Sequence, residues 1–205
     1  MPNRLIAFSG KAQSGKTESS NILKALVEKE GLEFRRISFA SALKEIAKEY
    51  FGWDGDKELY YDHSHTMPPA GPLPNTSAAV YIVPQLIQDK GRQLLINIGA
   101  KFREIRPTIW ADIVYDRIIK TNAETPNGII FCIDDLRFKN EIGIVKKIPN
   151  STIIRLIRPD GQLDIDDISE KDLDDVAFEN VVYNQGTLEE LAEKVETIYK
   201  NAPKA

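Results

Sequence analysis

Arg4-Leu5-Ile6-Ala7-Phe8, running directly into Ser9-Gly10-Lys11-Ala12-Gln13-Ser14-Gly15-Lys16-Thr17, is the stretch whose reading decides the fold. The first five residues read as a buried strand. The following residues fit the phosphate-loop (P-loop) spacing G-x-x-x-x-G-K-[ST], and an apolar-periodic segment, Thr17 to Lys29, follows as a helix. The spacing has a physical reason. Gly10 and Gly15 permit a tight turn whose successive N–H groups converge on phosphate oxygens at a helix start, where the helix dipole favours negative charge. Lys16 then reaches the β- and γ-phosphates of a nucleotide, and the Thr17 hydroxyl ligates Mg²⁺. The expected nucleotide-phosphate contacts are Gly10, Lys11, Ala12, Ser14, Gly15, Lys16 and Thr17, and the loop alone does not choose among kinases, ATPases and GTPases.

Working outward, Ile22, Leu23, Leu26 and Val27 recur at helical spacing until Gly31. Phe34 to Phe39 reads as a second strand. Ser41 to Phe51 reads as a second helix with Leu43, Ile46, Ala47 and Tyr50 on one face, ending at Gly52. Strand, helix, strand, helix is the rhythm of an α/β chain with a parallel sheet flanked by helices. Trp53 to Val83 breaks it, with Pro68, Pro69, Pro72 and Pro74 in a long surface excursion of the kind that serves as a functional lid, a binding loop or a disordered segment. His63 and His65 lie there without a partnering cluster and read as solvated loop residues.

Pro84 opens an expected helix that runs to Ile98 and stops at Gly99. A further helix is expected from Pro107. Lys101, Arg103 and Arg106 fall in the connector between them, readable as solvated surface charge or as an anion site. Ile129 to Asp135 is an apolar run ending in two carboxylates, as in a buried parallel strand whose carboxyl end faces ligand. Asp134 or Asp135 is thereby placed to act on Mg²⁺ water or substrate, with a helix cap for Asn140 onward as the plainer alternative. A helix to Lys147, a strand Thr152 to Ile157, an acidic segment Asp160 to Asp175 and a strand Val181 to Tyr183 follow. Thr187 opens a terminal helix, with Glu190 completing a capping box, and Asn201 to Ala205 reads as a frayed tail.

The whole chain has 205 residues, 42% hydrophobic and 28% charged, enough for one domain of ordinary soluble composition. Its net charge of −4 argues against a general nucleic-acid binder, though not against a local basic pocket. Cys132 is the single cysteine, so no intrachain disulfide forms; mid-strand it reads as a core residue rather than a nucleophile, in a reducing cytoplasm. No run of eighteen apolar residues is present, and neither secretion nor membrane spanning is expected.

Four segments in order resemble the bacteriophage-type deoxynucleoside monophosphate kinases, part of the P-loop nucleoside monophosphate kinase group that includes dephospho-coenzyme A kinase. Ser38-Phe39-Ala40-Ser41-Ala42-Leu43-Lys44-Glu45 is similar to the family's Phe-Ala-Asp-Pro-Leu-Lys. Arg92-Gln93-Leu94-Leu95 with Gly99 is similar to Arg-Glu-Leu-Leu-Gln-x-x-Gly-Thr, and Arg103 to Trp110 keeps the family's spacing. Asp135-Leu136-Arg137-Phe138-Lys139-Asn140-Glu141 is similar to Asp-Val-Arg-Phe-x-Asn-Glu. Ser169-Glu170 and Asn184-Gln185-Gly186-Thr187 are weaker echoes of the lid and final turn. Ile96, Ala100 and Asp167 stand where the family carries Gln, Thr and His.

The resemblance implies a three-layer P-loop fold in one domain, 1–205, with a substrate excursion at 53–83 and a lid-like segment at 158–175. It implies ATP-dependent phosphorylation of a (deoxy)nucleoside monophosphate to the diphosphate in the cytoplasm, the host's if the gene is a phage's. The partners are a small-molecule nucleotide and no membrane or nucleic acid, and a homodimer is compatible with it. Lys16 and the loop amides hold ATP, while Thr17 and Asp135 organise Mg²⁺. Arg92 and Arg103 clamp the acceptor, with Phe39, Lys44 and Trp110 as further substrate contacts. Arg137 holds Asp135 or a phosphate, and Arg155, with Arg158, swings in from the lid edge toward the transferring group.

Overall fold

The computed structural model describes residues 2–56, 60–62, 88–159 and 171–203. These divide into two compact units, Met1–Phe39 with Thr108–Ala205, and Ala40–Pro107 between them in the chain.

The larger unit is built on strand β1 (Arg4–Ser9), whose residues are all buried. Helix α1 (Lys16–Lys29) follows and ends before Gly31, at φ 73°, a left-handed conformation that suits glycine. Strand β2 (Glu33–Ile37) comes next, ending two residues before the expected Phe39. Helix α4 (Ile109–Glu124), strand β5 (Ile129–Leu136), helix α5 (Lys139–Val145), strand β6 (Ser151–Ile157), strand β7 (Asn180–Tyr183) and helix α6 (Leu188–Asn201) complete it. The five strands form one sheet in the order β2-β5-β1-β6-β7 with every pairing parallel. The chain leaves β1 toward one edge and later passes from β5 to β6 across it, so the topology reverses direction between β1 and β6. Carboxyl ends of strands at such a point form the crevice where α/β sheets bind ligands.

Alternation along β5 shows why an all-apolar strand was needed. Ile129, Phe131 and Ile133 join a core with Leu5, Ala7, Ala111, Val114, Ile118 and Val145 on the α4/α5 face. Ile130 and Cys132 join Ile6, Phe8, Leu23, Val27, Leu191 and Val195 on the α1/α6 face. The expected α/β fold, a parallel sheet between two helical layers, is thus the observed one. Cys132 is a core residue: burial pushes its thiol up to about 12, and it shares a 3.1 Å hydrogen bond with Ser20 Oγ. At the opposite end of the sheet, buried Arg4 donates from Nη2 to the carbonyls of Tyr199 (2.7 Å) and Ala202 (3.4 Å). Its guanidinium lies 4.8 Å from the Tyr199 ring, so one buried cation closes the negative end of α6. Thr187 Oγ1 accepts from Glu190 N at 3.3 Å, forming the threonine half of the expected capping box. The expected fraying does not begin at Asn201, since Ala202 is buried and its N–H bonds to Ile198.

The smaller unit contains helix α2 (Ser41–Phe51), strands β3 (Tyr60–Asp62) and β4 (Gln88–Lys90), paired antiparallel, and helix α3 (Gly91–Ile105). Gly52, at φ 67°, caps α2 as expected, and Trp53 turns inward with Nε1 donating to Asp56 O at 2.9 Å. Four expectations are corrected here. Gln88–Lys90 is strand rather than helix. Gly99 lies inside α3, not at its end: a Cβ there would meet Leu43 Cδ1 at 3.3 Å, so the glycine serves the close packing of α2 on α3. Lys101 and Arg103 are consequently on the helix rather than in a connector, with Lys101 paired to Glu104. Tyr50, expected on the apolar face of α2, is 65% exposed because the helix ends within one turn of it. His63, His65, Pro84 and most of the 53–83 excursion lie outside the described residues, as do 160–170 of the lid-like segment.

Candidate active site

Ser9 ends β1, and the next six residues make the turn the sequence demanded. Gly10 has φ 152°, Gln13 φ 62° and Gly15 φ 101°. A Cβ on Gly10 would come within 2.6 Å of Leu156 O and closer still to the Ser14 hydroxyl. One on Gly15 would lie 2.5 Å from Asn184 Nδ2, which itself donates to Ser14 O at 3.1 Å. Gly10 is therefore fixed by space as well as by conformation, Gly15 by its left-handed φ with the tip of the Asn184 side chain against it, and Asn184 in the β7–α6 turn braces the loop from behind. Gly15 is also the N-cap of α1, so no cap side chain covers the helix's first amides. Lys16 is buried and folds back over the loop, with Nζ donating to Gly10 O (2.6 Å) and Lys11 O (2.7 Å). Thr17, one residue on, is exposed, and Ala12 is half-buried.

Arg155 stands beside this loop on β6. The parallel register pairs it with Ser9, and its Nη1 donates to Ser9 Oγ at 3.0 Å. Nη2 donates to Asp174 at 3.2 Å, and the guanidinium stacks 5.4 Å from the Phe178 ring. It thus sits on the sheet at the topological switch point, with a side chain only 12% exposed. Arg158 is exposed beyond the end of β6. Lys11 Nζ pairs with the other oxygen of Asp174 at 3.0 Å.

The carboxyl end of β5 carries Asp134 and Asp135. Register against β1 slips here: Ala7 pairs with Ile133, but Ser9 pairs with Leu136, leaving two residues of β5 opposite one of β1. Such a bulge re-aims side chains. Asp134 turns toward Arg36 (Nε to Oδ2, 3.5 Å), while Asp135 accepts from Ser38 Oγ (2.6 Å) and from Phe39 N (3.1 Å). Asp135 thereby fastens the end of β2 to the end of β5. Phe39 itself is 4% exposed, its ring within the α4/α5 core.

In the sequence Glu141 figures only within the Asp135–Glu141 match, with no role of its own. Buried at 5% exposure, it accepts from the backbone N–H of Arg137 (2.7 Å) and Phe138 (2.9 Å), holding the turn that presents Arg137. A Glu three residues after the start of a helix is the available signal. Asp172, Asp174 and Asp175 were read only as an acidic run. Asp172 accepts from Lys139 N (2.8 Å) and Asp175 from Lys139 Nζ (2.7 Å), which raises the lysine pKa and lowers that of Asp175. Trp110 is buried in the first turn of α4.

In the smaller unit, Arg92 and Arg103 share α3 eleven residues apart, about three turns and so roughly one face, about 16 Å along the axis. Arg92 is exposed, and the half-buried Arg103 lays its guanidinium back over Gly99, toward the Arg92 end. Lys44 is half-buried on α2.

The larger unit fits a bound phosphate group on its own geometry. Its loop has two positions a Cβ would fill, uncapped helix amides, and a buried Ser14 hydroxyl with no hydrogen-bond partner among the described residues. For Mg²⁺, the exposed Thr17 hydroxyl and Asp135 are the hard oxygen donors of the expected type, and such an ion needs few protein ligands beside phosphate oxygens and water. No described helix is long and apolar enough to cross a membrane.

No protein-family model and no curated protein matches the sequence. Among solved structures, the chain is similar to a mutant APS kinase of Mycobacterium tuberculosis, at 7% identity and TM-score 0.46 over 97% of this chain and 98% of that one. It is similar to an unliganded sugar kinase of Janibacter sp., at 16% identity and TM-score 0.49 over 98% and 97%. It is likewise similar to shikimate kinase from Acinetobacter baumannii in complex with shikimate, at 12% identity and TM-score 0.46 over 98% and 94%.

Proposed function

We propose that this chain is an ATP-dependent phosphotransferase that converts a (deoxy)nucleoside monophosphate to the diphosphate, supplying nucleotides for DNA synthesis. The observation that carries the reading is the phosphate loop at the switch point, where Gly10 is sterically obligatory, Gly15 holds a left-handed φ, and Lys16, Lys11 and Arg155 surround the turn. A kinase of this class needs no covalent nucleophile, because the acceptor is itself an anionic phosphate oxygen. That oxygen attacks the γ-phosphorus of ATP, the bond to the β-phosphate oxygen breaks, and ADP leaves with the bonding pair. The protein's work is alignment and charge compensation.

In this reading the amides of residues 10–17 and Lys16 hold the donor phosphates, and Arg155 stands ready at the β1/β6 crevice. Thr17, and Asp135 directly or through water, would hold Mg²⁺, which would supply charge neutralisation for the donor phosphates. Arg92 and Arg103 hold the acceptor phosphate, and their placement on one face of α3 supports that division of labour. Arg137, on the turn fixed by Glu141, serves the same phosphates or Asp135.

The test is a coupled assay with ATP and Mg²⁺ against dTMP, dGMP, dCMP, dAMP, AMP, UMP and dephospho-coenzyme A, with Arg103→Ala alongside. Turnover of one or more deoxynucleotides, lost in Arg103→Ala while ATP still binds, is the expected result. Turnover of dephospho-coenzyme A alone would replace the acceptor, and tight ATP binding with no acceptor used would replace the kinase by a nucleotide-gated module.

A further inference from the structure

We infer that Asp174 is an internal anion that competes with the donor phosphates for Lys11 and Arg155; the inference rests on the reading of the loop as a nucleotide site. One carboxylate bridges the two cations, Oδ2 to Lys11 Nζ at 3.0 Å and Oδ1 to Arg155 Nη2 at 3.2 Å. Lys11 belongs to the phosphate loop, and Arg155 is hydrogen-bonded to Ser9, the residue that leads into it. Asp174 therefore presents to these cations the bidentate acceptor that a phosphate presents, with one negative charge where a phosphate carries more.

Its surroundings suit exchange. The Asp174 side chain is 44% exposed, so water reaches it and its release requires no unpacking. The segment stays anchored without it, because Asp172 and Asp175 hold Lys139 on either side. Arg155 also stays in place without it, gripped by Ser9 Oγ and the Phe178 ring. When a polyphosphate enters, Asp174 gives up Lys11 and Arg155, and the cations pass to the ligand already oriented. The cost of this arrangement is affinity, since binding must break two exposed ion pairs and overcome a like charge at the mouth of the loop.

The experiment is calorimetric titration of the full-length protein with ATP, without and with Mg²⁺, for wild type, Asp174→Asn and Asp175→Asn. Asparagine keeps the shape and one acceptor, and Asp175→Asn makes the same change in net charge one residue away, on a side chain bound to Lys139 rather than to the loop. Asp174→Asn should tighten ATP binding by about three- to tenfold at low salt, with the gain shrinking as salt rises, while Asp175→Asn stays at the wild-type value. Thermal unfolding of each variant checks that the fold is retained. ATP binding by wild type that is unchanged or weaker in Asp174→Asn would overturn the inference and leave the loop reading intact, with Asp174 then positioning the cations. Equal tightening in both variants would also overturn it, in favour of a bulk charge effect. If ATP binds to none of the three, the nucleotide reading fails and the inference with it.

Discussion

Replacing Gly10 by alanine tests the loop geometry against an internal control, Gly31. Both glycines have positive φ, 152° and 73°, so an alanine at either meets an unfavourable backbone conformation costing about 1–2 kcal/mol. They differ in space. Nothing lies within 4 Å of a Cβ on Gly31, whereas a Cβ on Gly10 would press on Leu156 O at 2.6 Å and on the Ser14 hydroxyl. The carbonyl belongs to β6, an interior strand of the sheet, and Leu156 cannot yield without disturbing its pairing with Val182 of β7. Overpacking of this kind adds about 1–3 kcal/mol. Gly31→Ala should therefore lose about 1–2 kcal/mol and Gly10→Ala about 2–5 kcal/mol, or relieve the clash by displacing the loop. In a domain of this size 1 kcal/mol is about 2–4 °C of Tm. Urea unfolding with and without ATP reads both effects: Gly31→Ala keeps its ATP-induced stabilisation, and Gly10→Ala loses it. If Gly10→Ala were as mild as Gly31→Ala and still stabilised by ATP, the argument from space would be wrong.

Asp135→Asn should lower stability by about 1–3 kcal/mol even without Mg²⁺, because a carboxylate that accepts from both Ser38 Oγ and Phe39 N is replaced by a group with one acceptor. Thermal unfolding in chelator checks this, and an unchanged Tm there would confine Asp135 to ion binding. Alkaline pH should destabilise the protein through Cys132. Its folded pKa, about 12, lies above the ordinary thiol value, so the folded state keeps a proton that the unfolded state has lost. Stability is full below about pH 8.5 and falls by about 1.4 kcal/mol per unit from there toward 12. Tyr199, likewise raised to about 12 by burial and its bond to Glu30, adds a loss of the same sign above pH 10. Denaturation midpoints across pH 7–11 for wild type and Cys132→Ala separate the two: the variant should show a shallower fall, and equal slopes would refute the assignment to the thiol.

The elements most legible in the sequence were those whose chemistry fixes local spacing. Gly10 and Gly15 are demanded by the loop's own backbone, and Ile129 to Asp135 by burial on both faces of a parallel strand, so neither needed knowledge of distant residues. Gly99 was misread because a glycine after an apolar run has the signature of a helix stop, while its reason, Leu43 packing from α2, lies 56 residues earlier. The divergence of Asp134 and Asp135 follows from a one-residue slip in register, which no single strand announces. Asn184 and Asp174 escaped for the same cause: their partners Ser14 and Lys11 are more than 160 residues away, and only the sheet order brings them together. Glu141 was within reach, since its place at the head of α5 is a local capping pattern.

The central claim is transfer of the γ-phosphoryl group of ATP from a site built on Lys16, and phosphorus NMR of the purified protein with ATP, Mg²⁺ and the pool of deoxynucleoside monophosphates follows it directly. The account predicts that ADP and a deoxynucleoside diphosphate appear in equal amounts with no inorganic phosphate, and that Lys16→Ala abolishes both while remaining folded. Inorganic phosphate in place of the diphosphate, or transfer that persists in Lys16→Ala, would contradict it.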